Sequence, residues 1–530
     1  MSRFDWLSEL LACCEDEHIL VQHGSATRLS LVHLLDIDHE DWGRFAAVAH
    51  QQRCRWVALW ADQINAESFN INACFEYQGD YLVVRAPLEI RQPVLPSQTL
   101  WFPAANRPER HVQDLFGIVF SNHPDARRWT RHKAWPEGQY PLRKEFPVAG
   151  DNNAADTPPD SGYRFFQAQG AGVYEIPVGP VHAGIIEPGH FRFQAVGETV
   201  LNLEERLGYT HKGIEKIAEG RDAVGLARLA GRVSGDSTVA HTWAACMAME
   251  RAAKMIVPAR ALSLRAVLAE RERIANHLGD IGAICNDVGF AFAQYQFSRL
   301  RETWQRQNLA VFGHRLLMDC VIPGGVVVDI DAAQITQLQR QQVTLRAELD
   351  ELMSIIDNSP SLEDRLVGAG VLLPETAALI GAVGYVGKAS GVDYDLRRDH
   401  AYAPYHRLDV ESPLYQTGDV ASRLKVRAEE IGHSLQLLDQ LLSELPDDGI
   451  SARWVAPAAD AEGLGLVEGW RGETLCFVRF GTAGRIARFF PRDPSWLNWP
   501  GLEQLIHGNI VPDFPVCNKS VNASYSGHDL

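Results

Sequence analysis

The stretch ALSLRAVLAERERIANHLGDIGAIC (261–285) decides the fold class of the second half of the chain. Its apolar residues Leu264, Leu268, Ile274 and Leu278 recur at helical spacing, so they predict a long helix with one apolar stripe. Similar patterns predict further long helices at 238–256, 296–317, 331–357 and 418–444. The sequence therefore predicts a mainly helical domain around this segment.

Strands are predicted upstream of these helices. Short strands are predicted at 173–178 and 191–203, and the second run itself predicts a β-hairpin, because it alternates in part and contains a turn-like Gly-Glu pair. The N-terminal third has three β-like runs flanked by helix-prone segments such as 40–52. These runs are WVALWA (56–61), FNINACFEY (69–77) and DYLVVRAPL (80–88).

The segment AGDNNAADTPPDSG (149–162) separates the two halves. It is rich in small, polar and proline residues and lacks apolar periodicity, which is typical of a linker. We therefore predict an α+β protein with an N-terminal α/β docking domain (1–148), a linker (149–172) and a mainly helical domain with a small β-sheet (173–530).

Charge and cysteine usage exclude several functional classes. The net charge of −17 makes nucleic-acid binding a poor expectation, since that binding needs a cationic surface. No apolar run is long enough to cross a membrane, and we expect a cytoplasmic protein. The nine cysteines form no Cys-x-x-Cys pair, so neither disulfides nor a metal site built from thiolates is expected.

Several peptides together resemble one family. The peptides ERHVQDLFGIVFSNHPDARRW (109–129) and YPLRKEFP (140–147) resemble the peripheral-arm subunit of respiratory complex I that packs beside the quinone-site subunit. A second set resembles the large subunit of membrane-bound NiFe hydrogenases of the formate hydrogenlyase type, and its relative, the quinone-site subunit. That set is GPVHAGIIEPGHFRF (179–193), YTHKGIEKIAE (209–219), ERERIANHLGDIG (270–282), ASGVDYDLRRDHAYAPY (389–405) and GDVASRLKVRAEEI (418–431). Both modules in one chain resemble the fused hydrogenase-4 and formate hydrogenlyase large subunits, which implies a hydrogenase-large-subunit-like fold for the second domain.

The resemblance implies a NiFe site with four thiolates in two Cys-x-x-Cys pairs. The first pair corresponds here to Ser234 and Ser237, and the second to Ser524 and Gly527. A serine hydroxyl is a hard, neutral ligand at pH 7 and does not replace a bridging thiolate. We therefore expect no metal in this chain and no functional nickel hydrogenase.

Other polar residues of the family's pocket are retained. Glu187 matches an acid in the proton path of membrane-bound hydrogenases, and either His182 or His190 matches a loop histidine that contacts quinone in complex I. His241 closes the altered first motif. The alternative for each is an ordinary structural or solvated residue.

The segment RRDH supplies Arg397, Asp399 and His400. In the family, the arginine and the aspartate surround the metal pocket. A surface ion-pair cluster is the alternative.

This chain differs from complex I at one position that contacts the quinone there. Complex I has a hydrogen-bonding tyrosine where this chain has Gly235, and Asp236, Ser237 or Tyr525 could replace it. The former metal-pocket positions Ser234, Ser237 and Ser524, with Tyr525, are therefore candidates for a quinone pocket.

The resemblance implies a peripheral-arm oxidoreductase subunit, active only within a multisubunit complex. It would pass electrons from a 4Fe–4S cluster in a partner small subunit to a quinone-type acceptor, coupled to ion movement in membrane-embedded subunits. No tightly bound cofactor is expected in this chain, and NAD enters only through other subunits, where it is used at all. The complex would lie on the inner face of the cell membrane. The alternative is a non-catalytic scaffold or coupling subunit.

Overall fold

The computed structural model describes residues 5–23, 29, 32–132, 135–136, 138–150, 163–182 and 186–530. Residues 151–162, half of the predicted linker (149–172), lie outside this described part. The described elements form an α+β protein, as predicted from the sequence.

The N-terminal domain is a mixed five-stranded sheet with helices. Its elements are α1 (Asp5–Asp16), β1 (Val21–His23), β2 (His33–Ile37), α2 (Trp42–Gln51), β3 (Arg55–Gln63), β4 (Ser68–Tyr77), β5 (Asp80–Glu89), β6 (Val94–Pro96), α3 (Asn106–Phe116) and β7 (Val119–Ser121). The strand order is β1-β2-β5-β4-β3, and β2 pairs with β5 in parallel. All three predicted strands and the helix near 40–52 are confirmed.

The predicted hairpin is also confirmed. Strands β8 (Val173–Val178), β9 (His190–Val196) and β10 (Thr199–Arg206) form an antiparallel sheet, and Gly197 and Glu198 make the turn. The loop between β8 and β9 contains part of the GPVHAGIIEPGHFRF peptide (179–193).

The helical domain is built around a 29-residue helix that contains the peptide ERERIANHLGDIG. Its elements are α4 (Ile214–Ile217), α5 (Ala223–Ala230), α6 (Thr238–Ala252), α7 (Ala259–Asp287), α8 (Ala291–Phe312), β11 (Val321–Ile322), β12 (Gly325–Val326), α9 (Ala332–Asp357), α10 (Pro360–Leu366), α11 (Pro374–Leu379), α12 (Gly384–Ala389), α13 (Leu396–Asp399) and α14 (Val420–Ser443). The five predicted long helices are α6, α7, α8, α9 and α14. The prediction extended α8 to residue 317, but it ends at Phe312 because Gly313 takes a left-handed conformation.

A second three-stranded sheet follows that the sequence did not predict. Its antiparallel strands are β13 (Glu462–Gly469), β14 (Gly472–Phe480) and β15 (Ile486–Arg492), and the chain continues as α15 (Ser495–Leu505), α16 (Phe514–Val521) and α17 (Tyr525–Asp529). Every residue of β13 and β14 is buried, because the sheet is covered on both faces. Such strands show no alternation of apolar and polar residues, which explains why the pattern was missed.

Helix α6 lies directly against β13, and this contact positions the candidate site. A Cβ at Gly465 would stand 1.9 Å from the carbonyl oxygen of Ala244, and one at Gly463 would stand 2.0 Å from that of Ala248. Glycine at both positions therefore lets helix and strand approach closely. Because α6 begins just after Ser237 and β13 ends just before Trp470, this packing fixes the two segments against each other.

The other face of the second sheet covers the N-terminal sheet. Trp60 of β3 packs against Phe477 and Phe490, with ring centroids 5.1 and 5.5 Å apart. A buried ion pair joins Asp62 to Arg479 through contacts of 2.6 and 2.8 Å. The two domains therefore share one interface of aromatic and paired charged groups.

Two further expectations concern the cysteines and membrane spans. All nine cysteines are free thiols, and eight of them are buried. Across the described residues, none of the helices combines the length and apolar character that crossing a bilayer requires.

Asp114 holds the segment that follows β7, and its loss has a predictable cost. Its Oδ2 accepts hydrogen bonds from the backbone N–H groups of Trp129, Thr130 and Arg131 at 2.8, 2.7 and 3.1 Å, and it is buried. Asp114→Ala leaves these buried donors without their acceptor, so we expect the free energy of unfolding to fall by about 2–4 kcal/mol. Denaturant unfolding of the full chain and co-purification of partner subunits would measure this; normal stability with normal assembly contradicts the docking role of this segment.

Candidate functional site

The four positions that correspond to the family's thiolates lie in two segments that meet. Ser234 and Ser237 flank a short 3-10 turn before α6, and Ser524 caps the N-terminus of α17. The hydroxyl oxygens of Ser234 and Ser524 are 2.9 Å apart, and Gly527 N–H donates to Ser524 Oγ at 2.9 Å. We call Ser234, Asp236, Ser237, Arg471 and Ser524 the serine site.

An ion pair occupies the centre of the serine site. Both guanidinium nitrogens of Arg471 bond the Asp236 carboxylate at 2.7 Å, and Nη1 also donates to Ser237 Oγ at 3.0 Å. Ser234 Oγ donates to the same carboxylate at 2.7 Å. Burial raises the pKa of Asp236, but the charge and hydrogen bonds of Arg471 outweigh it and hold that pKa below its usual value.

The turn between β13 and β14 delivers Arg471 to this place. Its neighbour Trp470 donates an indole N–H to the backbone carbonyl of Asp236 at 2.9 Å, and Asn276 of α7 donates to the same oxygen at 2.8 Å. The guanidinium also stacks on the Trp470 ring at 4.0 Å. Two elements, the β13–β14 turn and α7, therefore fix the position of the Asp236 segment.

His241 forms a buried pair behind the serine site. Its Nε2 lies 2.7 Å from Asp493 Oδ2, and neither side chain is exposed. Burial opposes ionisation of Asp493, yet the hydrogen bond from His241 and the charge of Arg471 hold the Asp493 pKa far below its usual value. Asp493 therefore stays ionised and orients the imidazole.

The loop between β8 and β9 brings Glu187 to the C-terminal motif. Glu187 Oε2 accepts a hydrogen bond from Ser526 N–H at 3.1 Å, and the carboxylate is exposed. Gly189 lies so close to Tyr525 that a Cβ would stand 2.5 Å from its ring. Lys212 completes this edge by donating to the carbonyl oxygens of Val233 and Ser526 at 3.1 and 3.2 Å.

The two loop histidines bond the backbone of their own loop. His182 Nε2 lies 2.7 Å from the carbonyl oxygen of Gly189, and His190 Nδ1 lies 3.2 Å from that of Gly179. Burial lowers the pKa of His190 below its usual value. The structure therefore places both at the base of the loop that carries Glu187.

The side chains of the RRDH segment point to different parts of the molecule. Arg397 is buried and bonds Asp395 and Glu270, away from the surface. His400 Nδ1 lies 2.6 Å from the carbonyl oxygen of Gly79 in the N-terminal domain. Asp399 lies beside Arg398, at 2.9 Å.

Arg273 and His277 lie about one helical turn apart on α7. Both side chains are buried inside the chain, where His277 Nε2 lies 2.6 Å from Glu430.

A cleft opens beside Gly235 and Asp236. Its cavity volume is about 10 Å³, roughly the size of one water molecule, and Glu272, Asn276 and Arg315 line it together with these two residues. A Cβ at Gly235 would meet no atom within 4 Å, so the backbone there faces open space. Burial raises the pKa of Glu272 to about 8, so this carboxyl is protonated at neutral pH.

The serine site does not fit a NiFe centre. Its hydroxyls bond one another or charged groups, and a guanidinium, which repels metal cations, lies among them. At the fourth position, a Cβ on Gly527 would stand 2.6 Å from the Asp493 carboxylate, so a cysteine does not fit without rearrangement. The polar groups in and behind the serine site are hydroxyls, carboxylates, a guanidinium and an imidazole, which suit hydrogen bonding and proton transfer and not thiolate-type metal binding.

The serine positions, Glu187 and His241 were candidates from the sequence, whereas Arg471, Asp493 and Trp470, which contact the Asp236 segment or His241, were not. Arg471 lies between Trp470 and Gly472 in a turn whose flanking strands were not predicted. No spacing in the sequence ties this turn to Asp236, 235 positions away.

Three family models match separate parts of this chain. Residues 287–529 match the family model described as respiratory-chain NADH dehydrogenase, 49 Kd subunit, and residues 20–152 match that of the 30 Kd subunit. Residues 212–279 match the model of nickel-dependent hydrogenase.

Individual relatives agree with these models. Formate hydrogenlyase subunit 5 of Escherichia coli is 34% identical over 85% of this chain and 79% of its own length. Hydrogenase-4 component G of the same organism is 33% identical over 85% of this chain and 78% of its own length. Among solved structures, a chain of an archaeal membrane-bound sulfane sulfur reductase superposes with a TM-score of 0.64 at 26% identity, covering 68% of this chain and 98% of that chain.

Proposed function

Because this chain belongs to the family of fused 30 kDa and 49 kDa complex I-type subunits related to the formate hydrogenlyase and hydrogenase-4 large subunits, we propose that it transfers electrons to a quinone-type acceptor without nickel. Members of this family are oxidoreductase subunits of membrane-bound hydrogenase and complex I-like complexes. The electrons would come from an iron–sulfur cluster of a partner small subunit, and the reaction would be coupled to ion movement in membrane-embedded partners.

The single observation that supports this proposal is the Asp236–Arg471 pair beside Gly235, whose backbone faces open space. Reduction of a quinone takes up two electrons and two protons, so the pocket must donate hydrogen bonds and protons at the two carbonyl oxygens. Ser234 and Ser237 carry hydroxyl donors, and Arg471 carries a cationic one. The ionised Asp236 carboxylate accepts from all three and orients them, and Gly235 leaves space beside them. A partner cluster would supply electrons only; the residues of this chain hold and orient the protons.

The place of the subunit follows from the same family. We propose that it lies at the cytoplasmic face of a cell membrane, held there by partner subunits. NAD chemistry, where the complex has it, belongs to other subunits.

Glu187 gives a direct test of proton supply to the site. Glu187→Gln keeps the hydrogen bond from Ser526 N–H through the amide oxygen but removes the ionisable group. We expect quinone turnover by the intact complex to fall about 10-fold or more while assembly is unchanged. The measurement is steady-state quinone reduction by the purified complex with a low-potential donor.

The matched control is Glu198→Gln, in the β9–β10 turn at the opposite end of strand β9. Exchanging this exposed acid removes one charge from the same sheet, so it should leave turnover unchanged. Equal turnover by the Glu187→Gln variant and the wild type contradicts a proton role for Glu187.

A scaffold function is the second candidate, and one observation favours it. The hydroxyls of Ser234 and Ser524 bond each other, so they are satisfied without a substrate. If the subunit only fixes the assembly, Asp236→Asn should leave the activity of the complex unchanged, whereas an acceptor site requires that activity to fall.

A further inference from the structure

A group of eight ionisable side chains lies buried between α7, α12, α14 and β13. Each is at most 1% exposed. We call these residues the buried charge cluster: Glu270, Arg273, His277, Lys388, Asp395, Arg397, Glu430 and Glu468. The function proposed above does not use them.

Direct contacts join most of the cluster into one chain. His277 Nε2 lies 2.6 Å from Glu430, whose other oxygen accepts from Lys388 Nζ at 2.7 Å. Lys388 also bonds Asp395 at 2.6 Å. Asp395 in turn bonds Arg397 at 2.7 Å.

Arg397 continues the chain to Glu270 through contacts of 3.0 Å with both carboxylate oxygens. Glu270 also accepts from Tyr405 and Ser434, each at 2.6 Å, and its neighbour Arg273 lies 3.3 Å away. Each of the carboxylates of Glu270, Asp395 and Glu430 therefore touches a cation.

The charges of the cluster do not balance. It contains three cations, Lys388, Arg273 and Arg397, against the four carboxyl groups of Glu270, Asp395, Glu430 and Glu468. Burial lowers the pKa of His277, so its ring is neutral at pH 7. The adjoining ion pairs Arg427–Asp280 and Arg471–Asp236 are each neutral. One uncompensated negative charge in such a place is costly, and one bound proton removes it.

Among the four carboxyl groups of the cluster, Glu468 has the least stabilisation for its ionised form. Its side chain accepts a hydrogen bond from Leu396 N–H at 3.2 Å, and no cation contacts it at ion-pair distance among the described residues. Burial and the nearby Asp395 raise its pKa to about 8, against the charges of Lys388, Arg273 and Arg397. The phenol of Tyr402 faces the backbone N–H of the same residue.

One hairpin connects Glu468 to the serine site. Glu468 is near the end of β13, and the following turn carries Trp470 and Arg471, which hold Asp236. His277 packs edge-on against the Trp470 ring, 5.9 Å away. A single layer of aromatic side chains therefore separates the cluster from the site.

We propose that the buried charge cluster stores one exchangeable proton on Glu468, as a reserve for acceptor reduction at the serine site. The use of this proton rests on the proposed function, whereas its storage does not. When the reserve is used, the O–H bond of Glu468 breaks and its proton becomes one of the two protons that the acceptor binds together with its two electrons. A hydronium ion from the solvent then reprotonates the carboxylate and becomes water.

Three variants that each exchange one carboxyl group of the cluster for an amide test the storage. In Glu468→Gln, the amide replaces a neutral carboxyl group of similar size. Glu430→Gln and Asp395→Asn instead each leave a buried cation without a counter-charge. A carboxyl whose folded pKa lies above its unfolded value stabilises the fold at low pH, and this stabilisation is lost as pH rises toward about 8. We therefore expect the melting temperature of Glu468→Gln to match the wild type near pH 4.5 and to exceed it increasingly up to about pH 8.

The other two variants should melt below the wild type at neutral pH. A Glu468→Gln curve parallel to the wild type across this range overturns the storage, because Glu468 would then be ionised in the fold. Failure of this variant to fold at neutral pH also overturns it, since an amide should fit where a neutral carboxyl group fits.

The pH profile of turnover tests the use of the proton in the intact complex. We expect Glu468→Gln to lower quinone turnover several-fold at neutral pH, with KM unchanged, and to remove the alkaline limb near pH 8. An unchanged profile overturns the use of the proton. Because the melting curves need no quinone, a wild-type complex that reduces none would count against the proposed function and leave the storage result standing.

Discussion

Replacing Arg397 by leucine should lower the free energy of unfolding by about 3–5 kcal/mol. The guanidinium is 1% exposed and bonds Asp395 at 2.7 and 3.0 Å and Glu270 at 3.0 Å. Leucine leaves both carboxylates buried without their main counter-charge, and water does not reach them to compensate. Denaturant unfolding of the full chain measures the change.

Arg398 provides the matched control, since it is the next residue in the chain and has two acidic partners of its own. Its side chain is 33% exposed and pairs with Asp393 and Asp399 at 2.7 and 2.9 Å. Arg398→Leu should cost less than about 1 kcal/mol, because solvent screens these pairs. Equal losses for the two variants contradict the view that burial makes the Arg397 contacts important.

Replacing Asp236 by asparagine should lower quinone turnover by about 10²–10⁴-fold, the usual contribution of a positioned proton donor or acceptor. The amide keeps an acceptor for Ser234 Oγ but no longer takes up a proton, and Arg471 loses its counter-charge. Assembly should survive, because Trp470 and Asn276 hold the backbone carbonyl and not the side chain. Turnover of the purified complex and its subunit composition measure both effects.

Asp447→Asn, at an exposed position after α14, is the control for this variant and should behave as the wild type. An Asp236→Asn complex that is intact and fully active contradicts an acceptor site here. It favours the scaffold function.

Much of the fold could be predicted from local composition and spacing. The strands β3, β4 and β5 are rich in β-branched and aromatic residues although they are buried almost throughout, and the long helices α7, α9 and α14 have apolar residues at helical spacing. Strand β13 could not be predicted in the same way, since it contains buried glutamates and the glycines that α6 requires. Tertiary packing, and not local propensity, determines it.

The candidate site was predicted only where the family resemblance supplied positions. Ser234, Ser237 and Ser524 were identified as altered thiolate positions, and the structure brings Ser234 and Ser524 within 2.9 Å of each other. Arg471 was not identified, because a contact between residues 236 and 471 depends on how α6 packs on β13. The charge balance of the buried charge cluster could not be predicted for the same reason, since its members come from distant segments of the chain.

The most direct test is to purify the complex from its own host in mild detergent and to measure quinone reduction together with nickel content. We predict inhibitor-sensitive reduction with a low-potential donor, with iron–sulfur and membrane subunits present and without stoichiometric nickel. Stoichiometric nickel with hydrogen turnover, or an intact complex that never reduces quinone, would contradict the account.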